Sequence, residues 1–198
     1  MSEPMVFLAS RSPRRAELLA QIGVSYSVVD IEVDETPRDQ ESPEAYVLRL
    51  AVEKAQAGRT RLAEGCPLPV LAADTAVVVD ERILGKPRDR QDSLEMMALL
   101  SGRTHHVYTG VALAGNRKDA RLSRSEVVFR QIAPQEATAY WASGEPRDKA
   151  GGYGIQGLGA MFVCELHGSY SGVMGLPLYE TAGLLQDAGI ELLAPRHK

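Results

Sequence analysis

Asp74 stands in the middle of Val70-Leu71-Ala72-Ala73-Asp74-Thr75-Ala76-Val77-Val78-Val79, a strongly apolar run of strand type. A carboxylate there is costly to bury without a cation or metal beside it. The position therefore reads as a base or a ligand, with a strand end or bulge as the purely structural alternative. Lys54 is a second candidate, because Val47, Leu50, Ala51 and Lys54 fall at i, i+3, i+4 and i+7. That spacing aligns the lysine with the apolar stripe of a helix. Two readings stand at this position: an ammonium aimed into a pocket, or a side chain that snorkels to solvent.

In Ser10-Arg11-Ser12-Pro13-Arg14-Arg15, guanidinium groups gather where a strand gives way to a helix. Unpaired N–H groups at a helix start carry partial positive charge, and added arginines make such a place suited to phosphate. Gly85-Lys86-Pro87 offers a further phosphate ligand at a strand exit, against the alternative of a solvated loop lysine. Gly152-Tyr153-Gly154-Ile155-Gln156-Gly157 satisfies GxGxxG, but it follows the polar Glu145 to Lys149 and runs into Leu158-Gly159 and a strand. The dinucleotide fingerprint needs a strand before and a helix after, so that reading fails. A loop that brings backbone close to a ligand remains, with Gln156 offering an amide to a base edge. His105-His106 has no metal-ligand spacing and adjacent strand residues face opposite ways, so neither is claimed. Cys66 and Cys164 lie far apart, outside any CxxC or Cys/His pattern, which disfavours a disulfide scaffold or zinc site.

The elements that position these residues alternate in period. Met5 to Ala9 reads as a buried strand, and Ser12-Pro13 opens a helix with a hydroxyl cap that stops at Gly23. Tyr26 to Val33 alternates as a strand and is followed by the acidic Asp34-Glu35. Ser42-Pro43 starts a helix to about Gly58. Val70 to Val79 is a strand interrupted at Asp74-Thr75, and Asp80-Glu81 turns it back to Ile83-Leu84. Asp89 to Leu100 is helical, ending at Ser101-Gly102. Val107 to Ala114 and Ser125 to Gln131 form strands joined across Gly115-Asn116. Pro134 to Ala142 is a helix whose Tyr140-Trp141 packs on the core, Met161 to Leu166 a strand, and Leu178 to Asp187 a helix closed by Gly189. Hairpins mixed with helices predict an α/β fold with a mixed sheet flanked by helices.

The chain has 198 residues, 44% of them hydrophobic and 24% charged, with 18 Gly and 11 Pro, which excludes collagen-like, coiled-coil and disordered classes and predicts a single domain over 1–198. Its net charge of −4 argues against binding long nucleic acid without excluding a small anion held locally. The short apolar run from Met5 to Ala9, followed by Arg11, Arg14 and Arg15, is neither a signal sequence nor a membrane span, so the expected compartment is the cytoplasm.

Taken together, Leu8 to Arg15, Glu53-Lys54-Ala55, Ala73-Asp74-Thr75, Gly85-Lys86-Pro87 and Asp148 to Gly157 resemble, in order and spacing, the Maf-type nucleoside triphosphate pyrophosphatases. The resemblance runs from about Leu8 to Leu185; Arg11 departs from it, since family members often carry a small residue there. It implies the fold of inosine triphosphate pyrophosphatases, a cytoplasmic homodimer, and hydrolysis of a nucleoside triphosphate to monophosphate and pyrophosphate with Mg²⁺, Mn²⁺ or Co²⁺. Asp74 would be the proton acceptor, and Arg14, Thr75 and Gln156 would set base preference. Ser10, Arg15, Lys54 and Lys86 would bind phosphate, and Asp74 with Glu35 would hold the metal. Asp74-Thr75 and the loop carrying Gln156 resemble the branch acting on dTTP and UTP. The branch acting on 7-methyl-GTP and a nucleotide-binding regulator of cell division or septum formation are the alternatives.

Overall fold

A computed structural model describes residues 3–115 and 118–193. In chain order its elements are β1 (Val6–Leu8), α1 (Pro13–Gln21), β2 (Tyr26–Val28), α2 (Pro43–Thr60), β3 (Val70–Val79), β4 (Arg82–Leu84), α3 (Arg90–Leu100), β5 (Thr104–Ala114), β6 (Lys118–Phe129), α4 (Pro134–Ala142), β7 (Val163–His167), α5 (Tyr170–Met174) and α6 (Leu178–Asp187). Among the described residues the strands run β2-β1-β3-β5-β6-β7, with β4 pairing off β3. β1 pairs in parallel with β2 and β3, whereas β3 with β4 and β6 with β7 are antiparallel, so the sheet is mixed as expected.

Local chemistry explains most boundaries. The Ser42 hydroxyl accepts the Ala45 N–H at 3.2 Å and Asp89 accepts the Asp92 N–H at 2.9 Å, capping α2 and α3. Asp80 and Glu81 have φ of 48° and 60°, the paired positive values of a tight hairpin turn between β3 and β4.

Several expectations need correction. Ser12 stands at the cap position of α1, yet its hydroxyl makes no capping bond; its backbone N–H donates to the Ser10 Oγ at 3.2 Å. The strand expected to reach Val33 stops at Val28, because β1 offers ladder partners only through Leu8, which pairs with Val28. β3 is continuous through Asp74 and Thr75 rather than interrupted. β6 begins at Lys118, seven residues before the expected Ser125, since the polar start of that strand hides its alternation. Leu158–Phe162 is a 3₁₀ turn and the last strand starts only at Val163. Asn116, in the expected hairpin link, lies outside the described residues.

The chain divides into two compact units. The first comprises the described parts of Met1–Asp74, Thr109–Leu122 and Gly175–Lys198. Its core includes Ala9, Ala51, Ala55, Val70, Ala72, Ala112 and Ala114, small side chains that let α2 lie close on the strands. The approach is closest at Gly110, where an added Cβ would sit 2.4 Å from the Val47 carbonyl oxygen. The second unit, Thr75–Tyr108 with Ser123–Met174, has a core of larger groups, among them Met97, Leu100, Val127, Phe129, Tyr140, Tyr153 and Phe162. Their rings meet edge to face, as Phe129 does with Tyr153 at 4.8 Å and Tyr140 with Phe162 at 5.2 Å.

Candidate functional site

In the first unit the close packing of α2 carries Lys54 to Asp74. The helical spacing that buries Val47, Leu50 and Ala51 also buries Lys54, whose Nζ donates to Asp74 Oδ1 at 2.6 Å. The same ammonium lies 2.5 Å from Glu35 Oε1. Asp74 and Lys54 are only 8% and 7% exposed, so the snorkelling reading of Lys54 gives way to a buried ion pair. Burial pushes the Asp74 carboxyl above its ordinary range; Lys54 and then Arg15 pull it down, and Glu35 adds to the rise.

Arg15 stands in the first turn of α1, where its Nε donates to the Gly175 carbonyl at 2.8 Å and its Nη1 to Ser10 Oγ at 3.3 Å. Burial lowers its pKa, opposed by the charge of Asp74, so the guanidinium and the carboxylate feel one another. Arg14 is half-buried beside it. Arg11 goes elsewhere: its guanidinium grips the carboxylate of Asp30 with two bonds of 2.5 Å, at an exposed position. The charges at the head of α1 thus split, with Arg11 tied to the surface and Arg15 within electrostatic reach of Asp74.

Two residues that support Glu35 were not singled out from the sequence. The Tyr46 hydroxyl donates to the Glu35 carbonyl at 3.0 Å, and Arg49 Nη2 donates to the Thr36 carbonyl at 3.2 Å. Burial first, then the charges of Asp74 and Glu35, push the Tyr46 hydroxyl up to about 12. Arg49 is itself held by Glu41 at 2.5 Å and Glu53 at 3.1 Å. Both supports face the loop from α2, and helical spacing at Tyr46 and Arg49 is the signal that could have identified them.

Thr75, Lys86 and Gln156 belong to the second unit. Thr75 follows Asp74 in β3 and is half-buried, while Lys86 and Gln156 are exposed. The Gly151 N–H donates to the Gly85 carbonyl at 3.0 Å, tying the glycine-rich segment to the one that carries Lys86. No strand leads directly into that segment and no α-helix opens directly after it, in keeping with the rejected dinucleotide reading. His105 is wholly buried, with Nε2 2.8 Å from the Tyr153 hydroxyl, whereas the His106 side chain is 32% exposed, as strand alternation requires.

The donor set can be tested against a divalent cation. Asp74 and Glu35 converge on one cationic centre, the Lys54 ammonium, and both offer the hard oxygens that Mg²⁺ and Mn²⁺ prefer. Among the described residues no group of three His, Cys, Asp or Glu side chains could hold a metal. The pair fits an ion that takes one or two carboxylates and fills its shell with phosphate and water. Among the described residues no helix is long and apolar enough to cross a membrane.

The family model described as Maf-like protein matches residues 5–188. A protein of Alkalilimnicola ehrlichii named dTTP/UTP pyrophosphatase is 56% identical over 95% of this chain and 95% of its own length. A Saccharophagus degradans protein of the same name is 56% identical over 91% of this chain and 87% of its own. Among solved structures, the Ham1 protein of Staphylococcus aureus aligns with 65% of this chain and 72% of its own, at 16% identity and a TM-score of 0.42. The chain belongs to the Maf-like protein family.

Proposed function

We propose that this protein is a nucleoside triphosphate pyrophosphatase that hydrolyses dTTP and UTP to the monophosphate and pyrophosphate. The observation that carries the reading is the buried Asp74, joined to Lys54 and placed within the field of Arg15. Its support from relatives is the name dTTP/UTP pyrophosphatase borne by proteins 50–56% identical over most of their length.

In the proposed reaction Asp74 accepts a proton from water as the water oxygen bonds to the α-phosphorus. The bond from that phosphorus to the bridging oxygen breaks, and pyrophosphate leaves with the electron pair. A carboxylate whose proton affinity is raised by burial, with Lys54 and Arg15 opposing the rise, suits this task. Ser10, Arg15, Lys54 and Lys86 bind the phosphates, the cations offsetting charge on the transferring group. Asp74 and Glu35 would hold a divalent cation, which supplies Lewis-acid polarisation of phosphoryl oxygens when bound. Arg14, Thr75 and Gln156 meet the base, where amide, hydroxyl and backbone groups suit the O2, N3–H and O4 edge of a pyrimidine. The family resemblance also carries a homodimer and a cytoplasmic setting.

The test is turnover of purified protein on a panel of triphosphates, 7-methyl-GTP included, with Mg²⁺, Mn²⁺ or Co²⁺. The reading predicts highest kcat/KM on dTTP and UTP with pyrophosphate released. Preference for 7-methyl-GTP would move the protein to the alternative branch, and binding without turnover would favour a regulator.

A further inference from the structure

In the second unit the carboxylate of Glu145 gathers the backbone on both sides of Gln156. Tyr140 Oη donates to Glu145 Oε1 at 2.7 Å and itself accepts the Gly154 N–H at 3.1 Å. Beyond Gln156, the Leu158 N–H donates to Oε2 at 2.8 Å and the Gly159 N–H to Oε1 at 3.1 Å. Between these anchors the Gly157 N–H donates to the Gly154 carbonyl at 3.2 Å, closing a turn with Ile155 and Gln156 at its corner. Ile155 is buried at 6% exposure while Gln156 is exposed, so the turn is fixed from beneath and presents the amide outward.

The fit is close. A Cβ added at Gly157 would lie 2.3 Å from Glu145 Oε2, so the carboxylate occupies the space any larger residue would need. Glu145 is fixed in turn, since Lys149 Nζ donates to its carbonyl at 2.6 Å. Burial pushes the Glu145 carboxyl up, but the Gly159 N–H, Tyr140 and the Leu158 N–H outweigh it and hold the group ionised. A carboxylate accepting three donors has few other conformations that satisfy them.

We infer that Glu145 is a positioning residue for base selection: through Tyr140, Leu158 and Gly159 it fixes the turn that presents Gln156. The inference rests on reading Gln156 as a base contact. Glu145→Gln would keep the shape but turn one acceptor oxygen into a donor facing the Leu158 or Gly159 N–H. Affinity for the preferred base should suffer while the chemical step does not, because no residue of the clamp is among those assigned to the phosphates or the attacking water.

The experiment is steady-state kinetics of E145Q, Q156A and the double variant on UTP, dTTP, ATP and GTP, with amide hydrogen exchange of E145Q. Losing one of these charge-assisted acceptors should raise KM for UTP about five- to thirtyfold with kcat held within about twofold. Exchange should quicken at Leu158 and Gly159, and E145Q should add nothing once Gln156 is alanine. If Q156A shifts the substrate ranking and E145Q does not, or if E145Q acts equally in both backgrounds, the positioning role is wrong. If Q156A leaves the ranking unchanged, the reading of Gln156 is wrong and the inference falls with it. Should E145Q fail to fold, Tyr140→Phe removes one oxygen and the link to Gly154, and it must raise KM in the same direction.

Discussion

The ammonium of Lys54 stands 2.6 Å from the carboxylate of Asp74, twenty residues away in sequence, and both groups are buried. One helix and one strand thus meet through opposite charges inside an otherwise apolar layer built from alanine and valine. Desolvating two charges is tolerable only while each has the other, so the pair is weak evidence for stability but strong evidence of mutual dependence.

That dependence predicts the effect of Lys54→Met. Removing the cation leaves Asp74 buried without its main partner, which should destabilise the fold by about 3–5 kcal/mol, read by urea denaturation. The double variant Lys54→Met with Asp74→Leu should recover much of the loss. A cost below about 0.5 kcal/mol for Lys54→Met would return the residue to a surface role.

Glu35 depends on Tyr46 for its placement, through the bond from the Tyr46 hydroxyl to the Glu35 carbonyl. Tyr46→Phe should keep the fold and raise the Mg²⁺ concentration for half-maximal activity about tenfold, the scale of losing an outer support of a metal ligand. An unchanged metal dependence, measured by titrating Mg²⁺ at saturating UTP, would detach Glu35 from the metal.

Asp74 and Lys54 were both legible as misfits: a carboxylate in an apolar strand and an ammonium in the apolar stripe of a helix. Periodicity located α2, α3, α4 and α6 within a few residues, because capping groups and proline mark where they begin. The contact between Lys54 and Asp74 was not legible, since it depends on how closely α2 lies on the strands, a distance set by Gly110 and the alanines together. Nor was the clamp on the Gln156 turn, because Glu145 sits in a polar stretch where a carboxylate is ordinary. Its role arises from backbone N–H groups, which carry no residue-type signal. β2 ended early for a related reason: strand length is set by the partner available, and alternation continues in the sequence after Leu8 has ended the ladder.

His105 gives a pH prediction with a definite sign. Burial, helped by the neighbouring His106, lowers its pKa to about 4 from an ordinary value of 6.5, so the folded state holds it neutral. The unfolded chain binds a proton more readily between those values. Stability contributed by neutral His105 is therefore fully present above pH 6.5 and is lost as pH falls toward 4, by about 3 kcal/mol in all. Urea denaturation at pH 7 and pH 5 should show about 2 kcal/mol of that loss in the wild type and a shallower slope in His105→Gln. Equal slopes would mean that His105 titrates alike in both states.

The most direct measurement is the turnover number of Asp74→Asn on UTP, with saturating metal and a melting curve showing that the variant is folded. In the proposed role of proton acceptor for attack on the α-phosphorus, Asp74 should be worth about 10²-fold or more in kcat, the scale of losing a general base. A folded Asp74→Asn enzyme releasing pyrophosphate at close to the wild-type rate would contradict the account.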